Sequence, residues 1–265
     1  MMRSVSGPRT FDADGFDVSA LVEAKLGRTV SVCIPARDEA ATVAGVVRAV
    51  VGAHLASAGG SGLVDQVLVV DDQSTDATAE VAAAAGAEVR RAGRAGGGKG
   101  QAMRAALEHS RGDVVVFLDA DVENTSGRFV SGLLGPLLLH DEFALVKGFY
   151  ERPLGDQPQG GGRVTELVAR PLIELLFDEL TGVRQPLAGE TAAHRWVLEK
   201  VVLADGYGVE IALLIDVARR FGPGAIAQVD LGVRVHRNRP LAELAPQARD
   251  VLQAALARAG IGIAD

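Results

Sequence analysis

The apolar run Val114-Val115-Val116-Phe117-Leu118 leads directly into Asp119-Ala120-Asp121. Five consecutive apolar residues indicate a central strand that other elements cover on both faces. Two carboxylates separated by one residue at the end of such a strand can share a divalent cation, which can bridge diphosphate oxygens. An Asp-x-Asp sequence by itself is common in turns, so the prediction depends on its position behind a central strand.

On both sides of this run, short β-branched segments alternate with longer segments whose apolar residues have helical spacing. The alternation predicts βαβ units and a mostly parallel sheet. The other predicted strands are Thr29–Ile34, Val67–Val70, Glu88–Arg90, Phe143–Tyr150 and one that begins near Ala225. The predicted helices are Asp38–Ala56, one capped by Ser74 or Thr75 and ending at Ala85, Gly100–Ser110, Val164–Leu180 with an interruption at Pro171, Val209–Phe221 and one from Leu241.

The composition is that of a globular chain with an aliphatic core, because 48% of the 265 residues are hydrophobic but only 4% are aromatic. The net charge of −7 argues against nucleic acid or an acidic lipid surface as a partner. We expect no membrane span, since no apolar run is long enough, and no secretory signal, since Met1–Asp17 is polar. A single cysteine, Cys33, excludes a disulfide framework and indicates the cytoplasm.

Acidic residues also follow the first two predicted strands, in Pro35-Ala36-Arg37-Asp38-Glu39 and Asp71-Asp72-Gln73-Ser74-Thr75-Asp76. Ligands of open α/β sheets bind beyond the carboxyl ends of the strands, where these side chains can accept hydrogen bonds from a base or ribose. Each turn alone is explained equally well by helix capping. The two turns together favour a nucleoside site. A dehydrogenase is disfavoured because no Gly-x-Gly-x-x-Gly follows the first strand.

The stretch Gly96-Gly97-Gly98-Lys99-Gly100 resembles a phosphate cradle, because successive backbone amides can form an anion-binding concavity. It is not a Walker A loop, since Gln101 follows and the spacing fails. A flexible linker is the alternative. A lysine at a helix start is unfavourable unless an anion lies nearby, so we expect a mobile loop that delivers Lys99 to the ligand.

Arginines concentrate behind the last predicted strand, in Arg234-Val235-His236-Arg237-Asn238-Arg239. Three arginines in six residues of an acidic protein indicate an anion site, and His236 is the candidate third metal ligand. The stretch Gly160–Glu166 places Arg163 at a helix start. It fits either a capped helix or a second anion pocket, and we predict a pocket separate from the diphosphate site.

Two acids, Glu190 and Glu210, lie in glycine-rich turns. Either can orient hydroxyl groups or act as a base, and the residues alone do not decide between them.

Together these motifs resemble those of the actinobacterial glucosyl-3-phosphoglycerate synthases, which are retaining glycosyltransferases of the GT-A type. The resemblance runs from about Gly27 to the C-terminus. It includes Pro35–Glu39, Asp71 with Ser74–Asp76, Gly98–Gly100, Asp119-x-Asp121, Val146–Tyr150, Gly160–Pro171, Gly206–Ile211 and His236–Leu241. It implies an α/β GT-A fold with a Rossmann-like mixed sheet flanked by helices.

The resemblance implies transfer of glucose from UDP-glucose to the 2-hydroxyl of 3-phosphoglycerate, with Mg²⁺ (or Mn²⁺) and retention at the anomeric carbon. It further implies a cytosolic homodimer whose product leads to glucosylglycerate and methylglucose lipopolysaccharides. Asp72 and Gln73 replace residues that are often smaller and uncharged in relatives, so GDP-glucose stays open as the donor. Glycerate or a secondary-metabolite alcohol stays open as the acceptor. A binding module without catalysis is disfavoured by the complete set of motif residues.

Carried over to this chain, the resemblance implies three groups of binding residues. Those for the nucleotide sugar are Pro35, Ala36, Glu39, Asp72, Lys99, Asp119 and Ala120. Those for the phosphate and carboxylate of the acceptor are Gly162, Arg163, Thr165 and Asn238. Those for the metal are Asp121 and His236, whereas Asp119 mostly positions the nucleotide sugar. The residues assigned to catalysis are Glu210, Asp119 and Lys99.

We expect residues 1–28 to form an N-terminal extension, 29–122 a nucleotide-sugar-binding half, 123–240 an acceptor-binding half of the same domain and 241–265 a helical tail. Retention by double displacement would need a carboxylate on the rear face of the sugar. We expect instead that the leaving diphosphate guides the acceptor to the same face, with Glu210 orienting the substrate.

Overall fold

The computed structural model describes residues 7–54, 62–93, 98–152, 162–235 and 241–262. In these ranges one sheet contains eight strands: β1 (Arg9–Asp12), β2 (Val30–Ala36), β3 (Gln66–Asp71), β4 (Glu88–Arg91), β5 (Val114–Phe117), β6 (Leu145–Glu151), β7 (Thr191–His194) and β8 (Ile226–Val233). Their order is β1-β8-β6-β7-β5-β2-β3-β4. β7 runs antiparallel to both of its neighbours, and the other pairs are parallel. The predicted mixed α/β sheet is therefore confirmed.

The same ranges contain nine α-helices: α1 (Val18–Ala24), α2 (Val43–His54), α3 (Thr78–Ala84), α4 (Gly98–His109), α5 (Gly127–Leu139), α6 (Arg170–Leu176), α7 (Arg195–Leu198), α8 (Val209–Phe221) and α9 (Leu241–Arg258). Among these described helices, none has both the length and the apolar character needed to cross a bilayer.

Helices cover the sheet on both faces, because successive side chains of a strand point to opposite sides. In β5, Val114 and Val116 pack into a core with α1, α2, α3 and α5. Val115 and Phe117 pack into a second core with α4, α6, α8 and α9. An uninterrupted apolar strand is stable only where both faces are buried, as the sequence predicts for this strand.

Several elements of the structure were not predicted. Helix α5 was not predicted, because its residues Phe129–Leu138 are all buried and its sequence therefore lacks the polar face that gives a helical period. The segment expected to be an N-terminal extension, 1–28, contributes β1, which pairs with β8 at the sheet edge, and α1. Two further unpredicted elements, β7 and α7, have only four residues each.

Two local predictions need correction. Helix α3 begins after Ala77, which makes no side-chain capping bond, so neither Ser74 nor Thr75 is its cap. These two residues instead bond to Asp38: Ser74 Oγ accepts from Asp38 N at 3.0 Å, and Thr75 N donates to Asp38 Oδ1 at 2.7 Å. The helix predicted to be interrupted at Pro171 is a π-helix over Thr165–Ala169 followed by α6.

The end of α4 is fastened to the start of β5 by Arg195, which begins α7. Its guanidinium donates to the carbonyl oxygens of Leu107 (3.0 Å), Ser110 (2.8 Å) and Gly112 (2.7 Å) and to Ser110 Oγ (2.7 Å). It thereby satisfies carbonyls that the helix end leaves without intrahelical partners. This side chain fixes the start of the strand that leads to Asp119.

We predict that Arg195→Met lowers the free energy of unfolding by about 3 kcal/mol, because several carbonyl acceptors lose a charged donor. Thermal denaturation should show a melting temperature lower by roughly 6–12 °C. Arg9→Met is the control, since Arg9 and Glu142 form an exposed pair at 3.4 Å and the change should cost less than ~1 kcal/mol. Equal losses in the two variants would contradict the role given to Arg195.

Candidate active site

The carboxyl ends of β2, β3 and β5 open into one cavity of about 600 Å³. Pro35 and Ala36 end β2, Asp72 follows β3, and Asp119 lies two residues beyond β5, and all four line the cavity. Parallel strands bring their carboxyl ends to the same edge of the sheet, which is where open α/β sheets bind ligands. Three motifs that lie far apart in the sequence therefore meet in one place.

Asp119 is held by two cations. Lys99 Nζ lies 2.5 Å from Asp119 Oδ1, and Arg234 Nη1 lies 2.9 Å from Asp119 Oδ2. Burial acts to raise the Asp119 pKa, but the positive charges of Lys99 and Arg234 outweigh it and hold the pKa well below its usual range. Asp119 is therefore ionised, and both of its oxygens are engaged by the protein.

Asp121 makes a simpler contact, because its Oδ1 accepts a hydrogen bond from Arg234 Nη2 at 2.7 Å. An ionised carboxylate offers about four acceptor positions, so this bond leaves Asp121 able to bind a cation. One guanidinium thus bridges both acids of the Asp-x-Asp motif.

Arg234 itself is buried, with only 3% of its surface exposed. Burial acts to lower its pKa, but Glu190, Tyr150, Asp119 and Asp121 raise it well above its ordinary value. In the sequence, Arg234 belongs to the arginine run around His236, and no separate role was predicted for it. The feature that could have indicated a role for Arg234 is its position directly after β8, where a charged residue follows a buried strand.

Lys99 connects Asp119 to Glu210. Its Nζ lies 2.6 Å from Glu210 Oε1, and Glu210 is in the first turn of α8. Burial acts to lower the Lys99 pKa, but Asp119 and Glu210 raise it above its ordinary value. Asp119 and Glu210, the two carboxylates that Lys99 joins, both line the cavity.

Lys99 lies in the first turn of α4 rather than in a loop, and glycines on both sides allow its position. Gly98 has φ +62°, a conformation that L side chains rarely adopt. A Cβ on Gly100 would lie 1.8 Å from the carbonyl oxygen of Ala204. The glycines before Gly98, at 96 and 97, lie outside the described residues.

The turn before β7 packs against the carboxylate of Asp119. A Cβ on Gly189 would lie 2.0 Å from Asp119 Oδ1, so the carboxylate packs directly on the backbone there. Lys147, which is 1% exposed, donates to Ala188 O at 2.5 Å and to Thr191 Oγ1 at 3.0 Å and so ties this turn to β6. Burial lowers the pKa of Lys147 to about 8, and Glu210 acts in the opposite direction.

Glu190 and Glu210 lie in different surroundings. Glu190 is fully buried, and its Oε2 accepts from Tyr150 Oη at 2.7 Å. Glu210 lines the cavity and contacts Lys99 there. Only Glu210 of these two can therefore reach a ligand.

At the β2–β3 end of the cavity, Glu39, Asp72 and Arg37 form the wall. Asp72 is 4% exposed, its N donates to Ala36 O at 2.8 Å, and its Oδ2 lies 3.9 Å from Arg37 Nη1. Burial raises the pKa of Asp72, and Arg37 partly offsets this. The two acidic turns, which predicted a nucleoside site, therefore lie together on one wall of the cavity.

Gly162, Arg163 and Thr165 line the same cavity as Asp119, which corrects the prediction of a separate anion pocket. Gly162 has φ +76°, and a Cβ there would lie 3.5 Å from Arg152 Nη1. Arg152 also lines the cavity and was not singled out by the sequence analysis. Two arginines therefore flank the end of the cavity away from Asp72.

Helix α9, expected to be a tail, forms part of the cavity wall. Leu244, Gln247, Asp250 and Val251 line the cavity, and Tyr207 N donates to Asp250 Oδ2 at 2.9 Å. The far end of the helix is fixed by Arg258, whose Nε and Nη2 donate to the two carboxylate oxygens of Asp216 at 2.8 and 2.6 Å. Amphipathic spacing predicts this helix but does not show what it faces.

The predicted metal ligand His236 and acceptor ligand Asn238 lie outside the described residues, as does the rest of 236–240. Among the described residues, no three His, Cys, Asp or Glu side chains form a group that could hold a metal ion. The donors that are described do fit Mg²⁺ or Mn²⁺, which take one or two carboxylates and complete their shell with substrate phosphate and water. The chemistry of Asp121 is therefore compatible with the predicted cation.

The chain is similar to a known family and to several known proteins. The family model described as glycosyl transferase family 2 matches residues 31–163. The glucosyl-3-phosphoglycerate synthase of Mycolicibacterium paratuberculosis is 48% identical over 96% of this chain and 79% of that protein.

Two solved structures of glucosyl-3-phosphoglycerate synthase from Mycobacterium tuberculosis are also similar. One, in complex with Mn²⁺, UDP-glucose and phosphoglyceric acid, has a TM-score of 0.89 and 45% identity over 97% of this chain and 89% of that one. The other, in complex with Mg²⁺ and UDP, has a TM-score of 0.88 and 44% identity over 97% and 88% of the two chains. The chain belongs to the glucosyl-3-phosphoglycerate synthase family, within glycosyl transferase family 2.

Proposed function

We propose that the chain transfers glucose from UDP-glucose to the 2-hydroxyl of 3-phosphoglycerate, with a divalent cation and with retention at the anomeric carbon. The observation that carries the proposal is one cavity that joins the Asp119–Asp121 corner to Arg163 and Thr165. A donor diphosphate and an anionic acceptor can therefore be bound side by side. The similar M. tuberculosis enzyme binds UDP-glucose and phosphoglyceric acid together with Mn²⁺.

The donor lies along the carboxyl edge of the sheet in this proposal. Pro35, Ala36, Glu39 and Asp72 contact the uridine, and Lys99, Asp119 and Ala120 contact the rest of the nucleotide sugar. Adjacent strands are about 4.8 Å apart, so β3 lies roughly 10 Å from β5 across β2, a distance that a ribose and its phosphates span. Lys99 is a cation held in place by two carboxylates, which suits a group that meets a diphosphate.

The two aspartates have unequal roles. Asp121 holds the metal together with His236, because it has only one cationic partner among the described residues. Asp119 positions the nucleotide sugar, because both of its oxygens are already engaged by Lys99 and Arg234. The bound cation supplies positive charge against the diphosphate as the leaving group departs.

The acceptor is held by Gly162, Arg163, Thr165 and Asn238. The bond from the anomeric carbon to the diphosphate oxygen breaks, and the acceptor 2-hydroxyl attacks from the same face. Its proton passes to the departing diphosphate. Glu210 orients the sugar and does not attack, because its carboxylate is tied to Lys99 at 2.6 Å.

We further propose a homodimer in the cytoplasm whose product leads to glucosylglycerate and methylglucose lipopolysaccharides, as the family resemblance implies. Leu167 and Leu175 are 72% and 79% exposed and support a self-association surface beside α6. The single cysteine, Cys33, is buried and free, which fits a reducing compartment.

We predict that Asp121→Asn raises the Mg²⁺ concentration needed for half-maximal UDP release by at least ~10-fold and lowers kcat/KM by about 10²–10³-fold, since several kcal/mol of charge stabilisation depend on the cation. Asp119→Asn should instead lower kcat or raise the UDP-glucose KM, with the half-maximal Mg²⁺ concentration changed less than ~3-fold. Titration of both variants with Mg²⁺ measures this. Equal shifts in the two Mg²⁺ curves would contradict the unequal roles.

For the acceptor, we predict that Arg163→Ala raises the KM for 3-phosphoglycerate by about 30–300-fold, because a charged partner of the phosphate is lost. UDP-glucose consumption with glycerate should already be poor in the wild type and change little. Arg170→Ala is the matched control, since Arg170 follows on the same helical segment but does not line the cavity, and it pairs with Glu166 at 2.9 Å. Wild-type activity with glycerate equal to that with 3-phosphoglycerate would show that the acceptor has been misidentified.

The orienting role of Glu210 has its own test. We predict that Glu210→Gln lowers kcat by about 10²-fold, comparable to the loss of one preorganised polar group, and accumulates no covalent adduct. Intact-protein mass spectrometry after mixing with UDP-glucose and Mg²⁺ provides the measurement. A mass increase of one glucosyl unit would establish a double displacement instead.

A further inference from the structure

Among the described residues at the acceptor end of the cavity, Arg152 is an arginine that has no role yet in the proposed reaction. It lines the cavity, directly after β6. Its Nη2 donates to Tyr150 Oη at 2.7 Å, and its guanidinium stacks over the Tyr150 ring at 4.9 Å from the centroid. These two contacts fix the orientation of the guanidinium.

The Nε–H of Arg152 is buried and has no hydrogen-bond partner among the residues that the structure describes. Buried donors are almost always satisfied, and an exception at a cavity wall indicates a ligand atom that completes it. No ion pair joins Arg152 to a carboxylate of the described residues, whereas Arg234 pairs with three. Arg152 therefore carries a positive charge that the described part of the protein does not balance by direct contact.

Tyr150 connects these two arginines. Its hydroxyl accepts from Arg152 Nη2 at 2.7 Å and from Arg234 Nη1 at 2.6 Å, and it donates to Glu190 Oε2 at 2.7 Å. A hydroxyl has one donor and two acceptor positions, so all of its capacity is used. Burial raises the Tyr150 pKa to about 12, so the hydroxyl keeps the proton that it donates to Glu190. The arrangement is rigid and holds two guanidinium groups close together.

Arg234 is balanced by its three carboxylates, so an anion placed at Arg152 would balance the one guanidinium of this pair that no described carboxylate contacts. Gly162 leaves room for it, because it has no side chain and a Cβ there would lie 3.5 Å from Arg152 Nη1. Arg163 and Thr165 line the cavity next to Gly162. The acceptor proposed above carries two anionic groups, a phosphate and a carboxylate, so two cationic side chains match its charge.

We propose that Arg152 binds the carboxylate of the acceptor while Arg163 and Thr165 bind its phosphate, and that Tyr150 is the positioning residue for Arg152. The assignment rests on the proposed acceptor. A hydroxyl and a guanidinium together suit the several oxygens of a phosphate, whereas the planar guanidinium of Arg152 matches a planar carboxylate. The enzyme then selects acceptors that carry both groups, one on each side of the reacting hydroxyl.

The test compares three acceptors: 3-phosphoglycerate, glycerol 3-phosphate, which lacks the carboxylate, and glycerate, which lacks the phosphate. Arg152→Met should lower kcat/KM for 3-phosphoglycerate by about 10²-fold, the typical effect of one lost charged hydrogen-bonding partner. It should leave the residual rate with glycerol 3-phosphate and the KM for UDP-glucose within ~3-fold. Arg163→Met should show the reverse selectivity, with glycerate as the unaffected acceptor.

Arg184→Met is the matched control, because Arg184 also stacks on an aromatic ring, that of Phe149 at 4.1 Å, but does not line the cavity. Arg152→Lys keeps the charge without the planar group and should recover part of the activity. If Arg152→Met does not fold, as judged by circular dichroism, Arg152→Lys and the wild-type ratio of 3-phosphoglycerate to glycerol 3-phosphate still decide the question.

Tyr150→Phe tests the positioning role. It should raise the KM for 3-phosphoglycerate by about 10-fold in the wild-type background and by less than ~2-fold in the Arg152→Met background, because the two side chains act as a unit. Additive effects would overturn the positioning role. An equal loss with 3-phosphoglycerate and glycerol 3-phosphate in Arg152→Met would overturn the carboxylate assignment. Wild-type enzyme that turns over no 3-phosphoglycerate at all would instead refute the proposed function.

Discussion

The site depends on one buried guanidinium, that of Arg234, which bridges Asp119, Asp121 and Glu190. Burying several carboxylates together is costly unless cations and hydrogen bonds compensate for their lost hydration. Arg234 provides that compensation from behind β8, and Lys99 provides it from α4. Asp119 and Asp121 are therefore held at the cavity with defined orientations, which is what binding of a cation and a diphosphate requires.

The same principle explains how the two halves of the sheet cooperate. β5 carries the acidic motif, while β6, β7 and β8 bring Tyr150, Glu190 and Arg234 to it from the other side. β7 lies between β5 and β6 and runs against both. The turn that precedes it thereby reaches Asp119, so the antiparallel strand is a requirement of the site as well as of the sheet.

Much of the parallel part of the sheet could be predicted, because buried strands such as Val114–Phe117 are continuously apolar and helices such as α8 have a clear period. Helix α5 was missed because burial on all sides removes that period. Motif position predicted Lys99, Asp119 and Asp121, and the family resemblance added Glu210; Lys99 contacts Asp119 and Glu210, and Arg234 joins Asp119 to Asp121. Arg152, Tyr150 and the wall formed by α9 could not be predicted, since their roles arise from contacts between distant segments and leave no local pattern.

The backbone of Gly189, packed against Asp119, limits which acids can occupy the motif. Even a single methyl group at 189 would overlap the carboxylate. By the same geometry, a glutamate at 119 would push its longer chain into that backbone or into the cations that hold Asp119. The length of the side chain at 119, and not only its charge, is therefore constrained, and a side chain at 189 would require the carboxylate at 119 to move.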